Sequence, residues 1–234
     1  MNLTKRVGAL FAMVGMLAAP VAAGVSADLH VLGFSADGRY FAFEDSGSFD
    51  AVDGYWSKIQ VVDTESDSLA HAPFSTSHPN ELDKVPTVPL AKTRAENLEK
   101  AAATLKALGI ALSDTGEAPK LSFADAERRQ GRFAFSGADY DLRLSTKDFP
   151  SPGCYQGGGT STGFTLVLAD ARGRRTLHDD DHVPRSRGDK GCVLGYALGG
   201  VYAKGKHLVV ILDASVPGFE GPSLDHLAVT TTLK

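Results

Sequence analysis

Five consecutive residues, HDDDH at 178–182, bring two imidazoles and three carboxylates together. Both groups are common ligands of Zn²⁺ and other divalent ions, and a metal-bound water is a hydrolytic nucleophile. The favoured ligands are His178, Asp180 and His182, which define one functional alternative, a divalent-metal-dependent hydrolase. Contiguous side chains rarely all point at one ion, so a solvated acidic loop flanked by arginines is favoured over the metal site.

A second candidate site follows directly in VPRSRGDKGC, where Arg185 and Arg187 flank Ser186. Guanidinium groups bind carboxylate, phosphate or sulfate in a bidentate manner, so one interpretation is a site for an anionic ligand. The other is pairing of these arginines with the aspartates at 179–181, and this internal pairing is slightly favoured. Glu220, in a later polar loop, completes the predicted ligand-binding set.

Other sequence patterns give little support to catalysis. The Gly-rich segment YQGGGTSTG at 155–163 lacks the Lys-Ser/Thr of a P-loop, and H-E-x-x-H does not occur. A formal net charge of −4 gives the chain no electrostatic footprint for nucleic acid. We therefore expect a non-enzymatic binding or cell-envelope interaction domain without a cofactor. Its partner would be an envelope protein or a small anionic ligand.

The N-terminus has the pattern of a cleaved signal peptide, residues 1–27. Lys5 and Arg6 precede an uncharged apolar run, and Val25-Ser26-Ala27 fits the small-residue cleavage pattern. The apolar run is too short to span a bilayer, and no later segment approaches a transmembrane span. The sequence thus predicts a single periplasmic or secreted domain at 28–234.

Two cysteines, Cys154 and Cys192, lie in the predicted mature chain. Export places them in an oxidising compartment, where a pair normally bonds. Neither belongs to a C-x-x-C motif, so a structural disulfide is favoured over a redox pair or metal ligands. In the chain-entropy model such a long loop is worth roughly 3–5 kcal/mol, less any strain.

The elements that must position these loops are mostly strands. GFSADGRYFAFED at 33–45 predicts a hairpin with Asp37-Gly38 at its turn, and YWSKIQVVD at 55–63 predicts a third strand of an antiparallel meander. Residues 69–89 contain several prolines and predict a long connection. Later apolar segments predict further strands, among them HLVVILD at 207–213, whose continuous apolar run is typical of a strand covered on both faces.

One segment, 91–108, predicts an amphipathic helix. Thr93 and Glu96 fit a capping box, and Gly109 fits the C′ position. The expected fold class is mainly β, or β-dominated α+β, with antiparallel sheets in a sandwich or partial propeller and this helix inserted. The expected packing stripe consists of Ala91, Ala95, Leu98, Ala102, Leu105 and Leu108.

The opening segment and YWSKIQVVD resemble the start of a family of predicted secreted bacterial proteins of unknown function, domain of unknown function 2259. The P-x-S-R pattern at 184–187 and GFEGPSLDHLAVT at 218–230 extend the resemblance over essentially the whole mature chain. It implies a secreted or periplasmic domain and no particular activity. The opening segment alone also resembles the repeat of TolB-type propellers, with Ala36 in place of proline. Only one faint echo follows, at 130–144, so a complete propeller is not expected.

Overall fold

A computed structural model describes residues 27–50, 52–80, 87–181, 192–219 and 221–233. Within these ranges the chain forms thirteen strands, one α-helix and a short 3₁₀ turn at Tyr155–Gly157. Several predictions concern residues outside the described ranges. They are the signal peptide up to residue 26, His182, the 185–187 segment and Glu220.

The first sheet, called the helix-covered sheet below, begins with the predicted hairpin. Its turn contains Gly38 at φ +80°, which glycine adopts at little cost, and Ser35 Oγ donates to Asp37 Oδ1 over 2.6 Å. Antiparallel pairing continues into the next strand, which confirms the predicted meander. The strands run in the order β1-β2-β3-β4, with β5 also paired with β3. Their bounds are β1 Asp28–Phe34, β2 Tyr40–Ser48, β3 Asp53–Asp63, β4 Ser68–Leu69 and β5 Phe74–Asn80.

The prediction of a long connection at 69–89 is wrong in part, because β5 lies inside it. This strand, FSTSHPN, pairs with β3 from Asp53 to Ile59 although it carries little apolar alternation. Its hydrogen-bonded partner, rather than its own hydrophobic pattern, makes it a strand.

The predicted helix is confirmed as α1 (Leu90–Ala107), and Gly109 follows it at φ +67° as the predicted C′ residue. The predicted capping box of Thr93 and Glu96 is wrong. Pro89 is the N-cap, no side chain caps the helix, and Thr93 Oγ1 instead lies 3.3 Å from the Pro89 carbonyl oxygen.

The buried face of α1 matches the predicted stripe in part: Leu98, Leu105 and Leu108 pack against the helix-covered sheet, whereas the predicted alanines do not, and a polar network also meets the sheet. Ala91, Ala95 and Ala102 are exposed. Asn97 Nδ2 donates to Ser57 Oγ over 2.7 Å beneath the helix. The fully buried helix residues are Thr93, Asn97, Ala101 and Leu105.

A second sheet, called the outer sheet, runs in the order β10-β9-β8-β7-β6 with antiparallel neighbours. The strand β10 (Gly173–Asp179) lies within residues 172–191, whose Gly-rich and charged composition predicts a loop, so the structure corrects this prediction. The strands are β6 Ser122–Phe123, β7 Gln130–Phe135, β8 Ala138–Pro150, β9 Thr160–Asp170 and β10 Gly173–Asp179.

The central sheet consists of β11 (Gly195–Lys204), β12 (His207–Pro217) and β13 (Pro222–Thr232). Along β12 the side chains alternate between two apolar cores. Leu208, Val210 and Leu212 pack towards the outer sheet, whereas Val209 and Ile211 pack towards the helix-covered sheet. The predicted burial of this strand on both faces is confirmed.

The described chain thus forms successive layers: α1, the helix-covered sheet, the central sheet and the outer sheet. It is mainly β, with antiparallel sheets and one helix, as predicted. Cys154 and Cys192 form the predicted disulfide, with their Cα atoms 5.2 Å apart. In the part of the chain that the structure describes, no helix is both long and apolar enough to cross a membrane.

Candidate functional site

A groove of about 530 Å³ lies against the outer sheet. Val167 lines it with an apolar side chain, and Leu144 borders it with its side chain buried in the core below the sheet. The polar residues that line it come from three strands, β7, β8 and β10, and they are Gln130, Arg143, Ser145, Arg174, Arg175 and Thr176.

The strand period and the register bring these side chains together. On β8, Arg143 and Ser145 are exposed while Leu142 and Leu144 are buried, as alternation across a pleated sheet requires. Arg143 pairs in register with Gln130 on one side and with Val167 on the other, and Val167 pairs with Thr176. One cross-strand row therefore spans four strands and forms much of the groove.

The arginines of the groove differ from other arginines of the described chain. Arg94, Arg128 and Arg132 each contact a carboxylate, at distances between 2.5 and 2.9 Å. Within the described residues, no ion pair with a carboxylate involves Arg143, Arg174 or Arg175. The groove consequently concentrates positive charge that other side chains leave uncompensated.

The Arg175 side chain lies on the opposite face of the outer sheet from those of Arg143 and Arg174, because Arg175 pairs in register with the buried Leu168. Its Nη1 donates to the Thr232 carbonyl oxygen over 2.9 Å, whereas its Nη2 is buried without a hydrogen-bond partner among the described residues. A buried polar group without a partner costs about 1–3 kcal/mol, and more when it is charged. Arg175 therefore holds a buried charge between the outer and central sheets, and its guanidinium does not face the groove.

Part of the predicted metal site lies at the end of β10. His178 Nε2 is 2.9 Å from Asp180 Oδ1, and the His178 ring stacks on Phe164 with centroids 4.4 Å apart. Asp180 Oδ2 accepts from the Phe164 amide over 2.9 Å, so both carboxylate oxygens make structural contacts. Among the described residues no group of three His, Cys, Asp or Glu is arranged to hold a metal ion. A site that includes His182, which lies outside the described ranges, stays a prediction.

The predicted ligand set of Arg185, Ser186, Arg187 and Glu220 lies wholly outside the described residues and also stays a prediction. One neighbouring contact is defined, since the Phe219 amide donates to Asp50 Oδ2.

Ser161 lies in GTSTG, a match to G-x-S-x-G within the Gly-rich segment at 155–163. A nucleophile elbow places its serine on an exposed strand-to-helix turn. Ser161 is instead a fully buried residue of β9, and its Oγ accepts from the Val193 amide over 2.9 Å. The match therefore describes a structural serine.

A chain of alternating charges, called the ionic chain below, is a second feature that the sequence-based reasoning missed. It lies between the helix-covered and central sheets. Successive contacts measure 2.7, 3.7, 2.7, 3.6 and 2.7 Å. In order, its members are Arg128, Asp213, His226, Asp45, Lys58 and Asp225.

The three carboxylates balance three cations only when His226 is protonated. Burial opposes protonation, but the hydrogen bond and charge of Asp45 and the charges of Asp213 and Asp225 outweigh it and raise the pKa of His226. Burial, partly offset by His226 and Lys58, raises the pKa of Asp45. The ionic chain joins two layers, and its balanced charges indicate a structural role.

A weak signal for both features exists in the sequence. Asp45 continues the alternation of Phe41 and Phe43 on the buried face of β2, and Arg143 stands between leucines in YDLRLS. The arginines of β10 gave no such signal, because GRRTLHD lacks clear alternation.

The layered, disulfide-bonded β structure places the chain in the class of secreted β-rich proteins. A family model described as "Predicted secreted protein (DUF2259)" matches residues 42–232, and the chain belongs to this family. The resemblance and the exported location inferred from the sequence are thereby confirmed. None of the curated proteins or solved structures compared with the chain matches it.

Proposed function

We propose that this protein is a non-enzymatic secreted binding protein whose groove on the outer sheet binds a small anionic ligand. The observation that carries the proposal is the pair of Arg143 and Arg174, two guanidiniums on the exposed face of the outer sheet without a carboxylate partner among the described residues. Guanidinium binds carboxylate and phosphate with paired, charge-assisted hydrogen bonds.

The composition of the groove supports binding rather than proton transfer. Its lining residues are three arginines, three neutral polar residues and two aliphatic residues, so it holds no carboxylate, imidazole or thiol. Since the whole protein carries a formal net charge of −4, the groove is a local positive region on an acidic molecule. Its volume of about 530 Å³ lies within the usual range of small-molecule sites, ≈ 300–1,000 Å³.

The test compares the double variant Arg143→Ala/Arg174→Ala with the control Arg132→Ala. Arg132 lies on the same sheet but already pairs with Asp141. Titration calorimetry at low salt would use inorganic phosphate, sulfate and citrate as probes, because salt screens exposed charges. We expect the unaltered protein to bind at least one probe and the double variant to bind it about tenfold or more weakly. Equal affinities in the double variant and the control would refute the proposal.

The metal-dependent hydrolase that uses His178, Asp180 and His182 stays a prediction. Stoichiometric metal in the purified exported protein would support it.

A further inference from the structure

We infer that the N-terminal half of α1 is a lid, which opens while the C-terminal half stays docked and uncovers a polar surface of the helix-covered sheet. This surface, called the polar bed below, consists of the buried residues Glu44, Ser46, Ser57 and Thr76. It lies in a different sheet from the groove, so the inference is independent of the proposed function. Packing, hydrogen bonding and the two ends of the helix each support it.

The underside of α1 changes character near the middle of the helix. The N-terminal half, residues 90–97, buries the polar residues Thr93 and Asn97. The C-terminal half, residues 98–107, instead joins an apolar core with the sheet. Apolar surface loses stabilisation when water reaches it, whereas polar groups exchange their partners for water at little net cost. The N-terminal half therefore detaches more easily. The helix residues of the apolar core are Leu98, Ala101 and Leu105.

The sheet beneath the helix is divided in the same way. Ser46, Ser57 and Thr76 pair in register across β2, β3 and β5, so they form one polar row on the face that α1 covers. Two rows away Ala42 pairs with Val61, and both belong to the apolar core under the C-terminal half of the helix. Polar helix residues thus meet a polar row, and apolar helix residues meet an apolar row.

The contacts that hold the N-terminal half are ones that water can replace. Asn97 Nδ2 donates to Ser57 Oγ over 2.7 Å, and Arg94 Nε and Nη2 donate to Glu44 Oε2 over 3.0 and 2.9 Å. The Arg94 side chain is 34% exposed, so water already reaches this ion pair. Ser46 Oγ is buried without a hydrogen-bond partner among the described residues, so hydration of this hydroxyl favours opening.

The two ends of α1 differ in the same direction. At the N-terminus no side chain of the described residues caps the helix, and Lys92 places a positive charge in the first turn, where the helix dipole disfavours it. The C-terminus ends in a Schellman motif. There the Ile110 amide donates to the Leu105 carbonyl oxygen over 2.9 Å, and the Gly109 amide donates to the Lys106 carbonyl oxygen over 3.1 Å. Local opening is therefore expected from the N-terminal end.

Thiol labelling of the full exported protein tests the lid with a matched pair of variants. Ser46→Cys and Ala42→Cys each place one free thiol on the same face of β2, at positions that are both buried and covered by different halves of α1. The native cysteines stay in their disulfide. Under native conditions we expect iodoacetamide to modify the Ser46→Cys variant about tenfold or more faster than the Ala42→Cys variant. Equal rates, or a faster reaction of the Ala42→Cys variant, would overturn the inference.

Hydrogen exchange of the unaltered protein gives a second measurement, which decides the outcome if a cysteine variant is unfolded. A lid opens as one unit, so the backbone amides of residues 94–97 should share one level of protection, about tenfold or more below that of residues 102–107. Protection that rises residue by residue from Leu90 would indicate simple fraying and would contradict a lid. Uniform protection along the helix would contradict it as well.

Ala91 allows the lid to be tuned from outside the polar bed, because it is exposed in the first turn of α1. In the Ser46→Cys background, we expect Ala91→Glu to slow labelling by about two- to fivefold, since a negative charge is favoured at a helix N-terminus. Ala91→Lys should accelerate it by a similar factor. Neither change should alter labelling of the Ala42→Cys variant. Equal effects of Ala91→Glu on both thiols would show that the whole helix detaches and would overturn the lid.

Discussion

His226 Nδ1 lies 2.7 Å from Asp45 Oδ1, and both side chains are buried between two β-sheets. Asp45 lies on β2 and His226 on β13, so the contact joins the helix-covered sheet to the central sheet. A buried charged pair contributes less to stability than its Coulomb energy suggests, yet removal of one partner is costly. The contribution of this contact to the free energy of unfolding can be measured through its dependence on pH.

His226→Gln should cost more stability at pH 6 than at pH 9. The pKa of His226 is raised in the folded protein, so its contribution is fully present below the unfolded pKa of about 6.5 and is lost as pH rises through the folded pKa. At pH 6 we expect a loss of roughly 3 kcal/mol, the size seen when one partner of a buried pair is removed. Urea unfolding across this pH range measures the difference.

His207→Gln is the matched control, because its effect on stability should depend on pH in the opposite direction. Burial and the neighbouring Lys206 lower the pKa of His207, so its neutral form favours folding and the native protein loses stability as pH falls below about 6.5. His207→Gln should reduce that acid-side loss. Parallel pH profiles for both variants would contradict the assignment of opposite charge states.

Asn97→Ala should destabilise the protein by about 1–3 kcal/mol, the cost of leaving buried polar groups without a hydrogen-bond partner. Its Nδ2 donates to Ser57 Oγ over 2.7 Å and to the Phe74 carbonyl oxygen over 3.2 Å. Ala102→Ser is the control on the opposite, exposed face of the helix, where a change within about 0.5 kcal/mol is expected. A larger effect at Ala102 than at Asn97 in urea unfolding would show that the helix packs through the alanine stripe.

Asn97 and Ala102 also show how far the sequence could predict the helix. Periodicity located α1 to within one residue at each end, because the spacing of Ala and Leu is a local property. It placed Leu98, Leu105 and Leu108 correctly against the sheet but missed Asn97, which is buried through partners on β3 and β5 that only the folded sheet supplies. Hydrophobicity alone favours alanine over asparagine as a packing residue.

The same reasoning applies to the strands and the groove. The continuous apolar run of β12 predicted burial on both faces, because an unbroken run leaves no polar face for solvent. The sequence signalled an exposed Arg143 but not the groove, since only the register of three strands brings Arg143 and Arg174 to one region of the sheet. A dense cluster such as HDDDH draws on residues that are adjacent in sequence, whereas strand pairing brings together the residues of the groove.

Reduction of the disulfide, or Cys154→Ser/Cys192→Ser, should lower the free energy of unfolding by about 2–4 kcal/mol, because the bond restricts the unfolded chain. The two cysteines are separated by 38 residues, a loop that spans β9 and β10. Urea unfolding with and without reductant measures the effect, and mass analysis under non-reducing conditions verifies the bond. An unchanged unfolding midpoint after complete reduction would contradict the expected contribution.

The position of the central sheet has a consequence for biogenesis. Its three strands span residues 195–232, yet they complete the apolar cores of both neighbouring sheets, including the face that carries Phe34, Phe41 and Phe43. A nascent or partly exported chain that lacks this segment therefore exposes two apolar surfaces at once. Both apolar cores are complete only when residues 195–232 are packed, and we expect a chain truncated before Gly195 to aggregate.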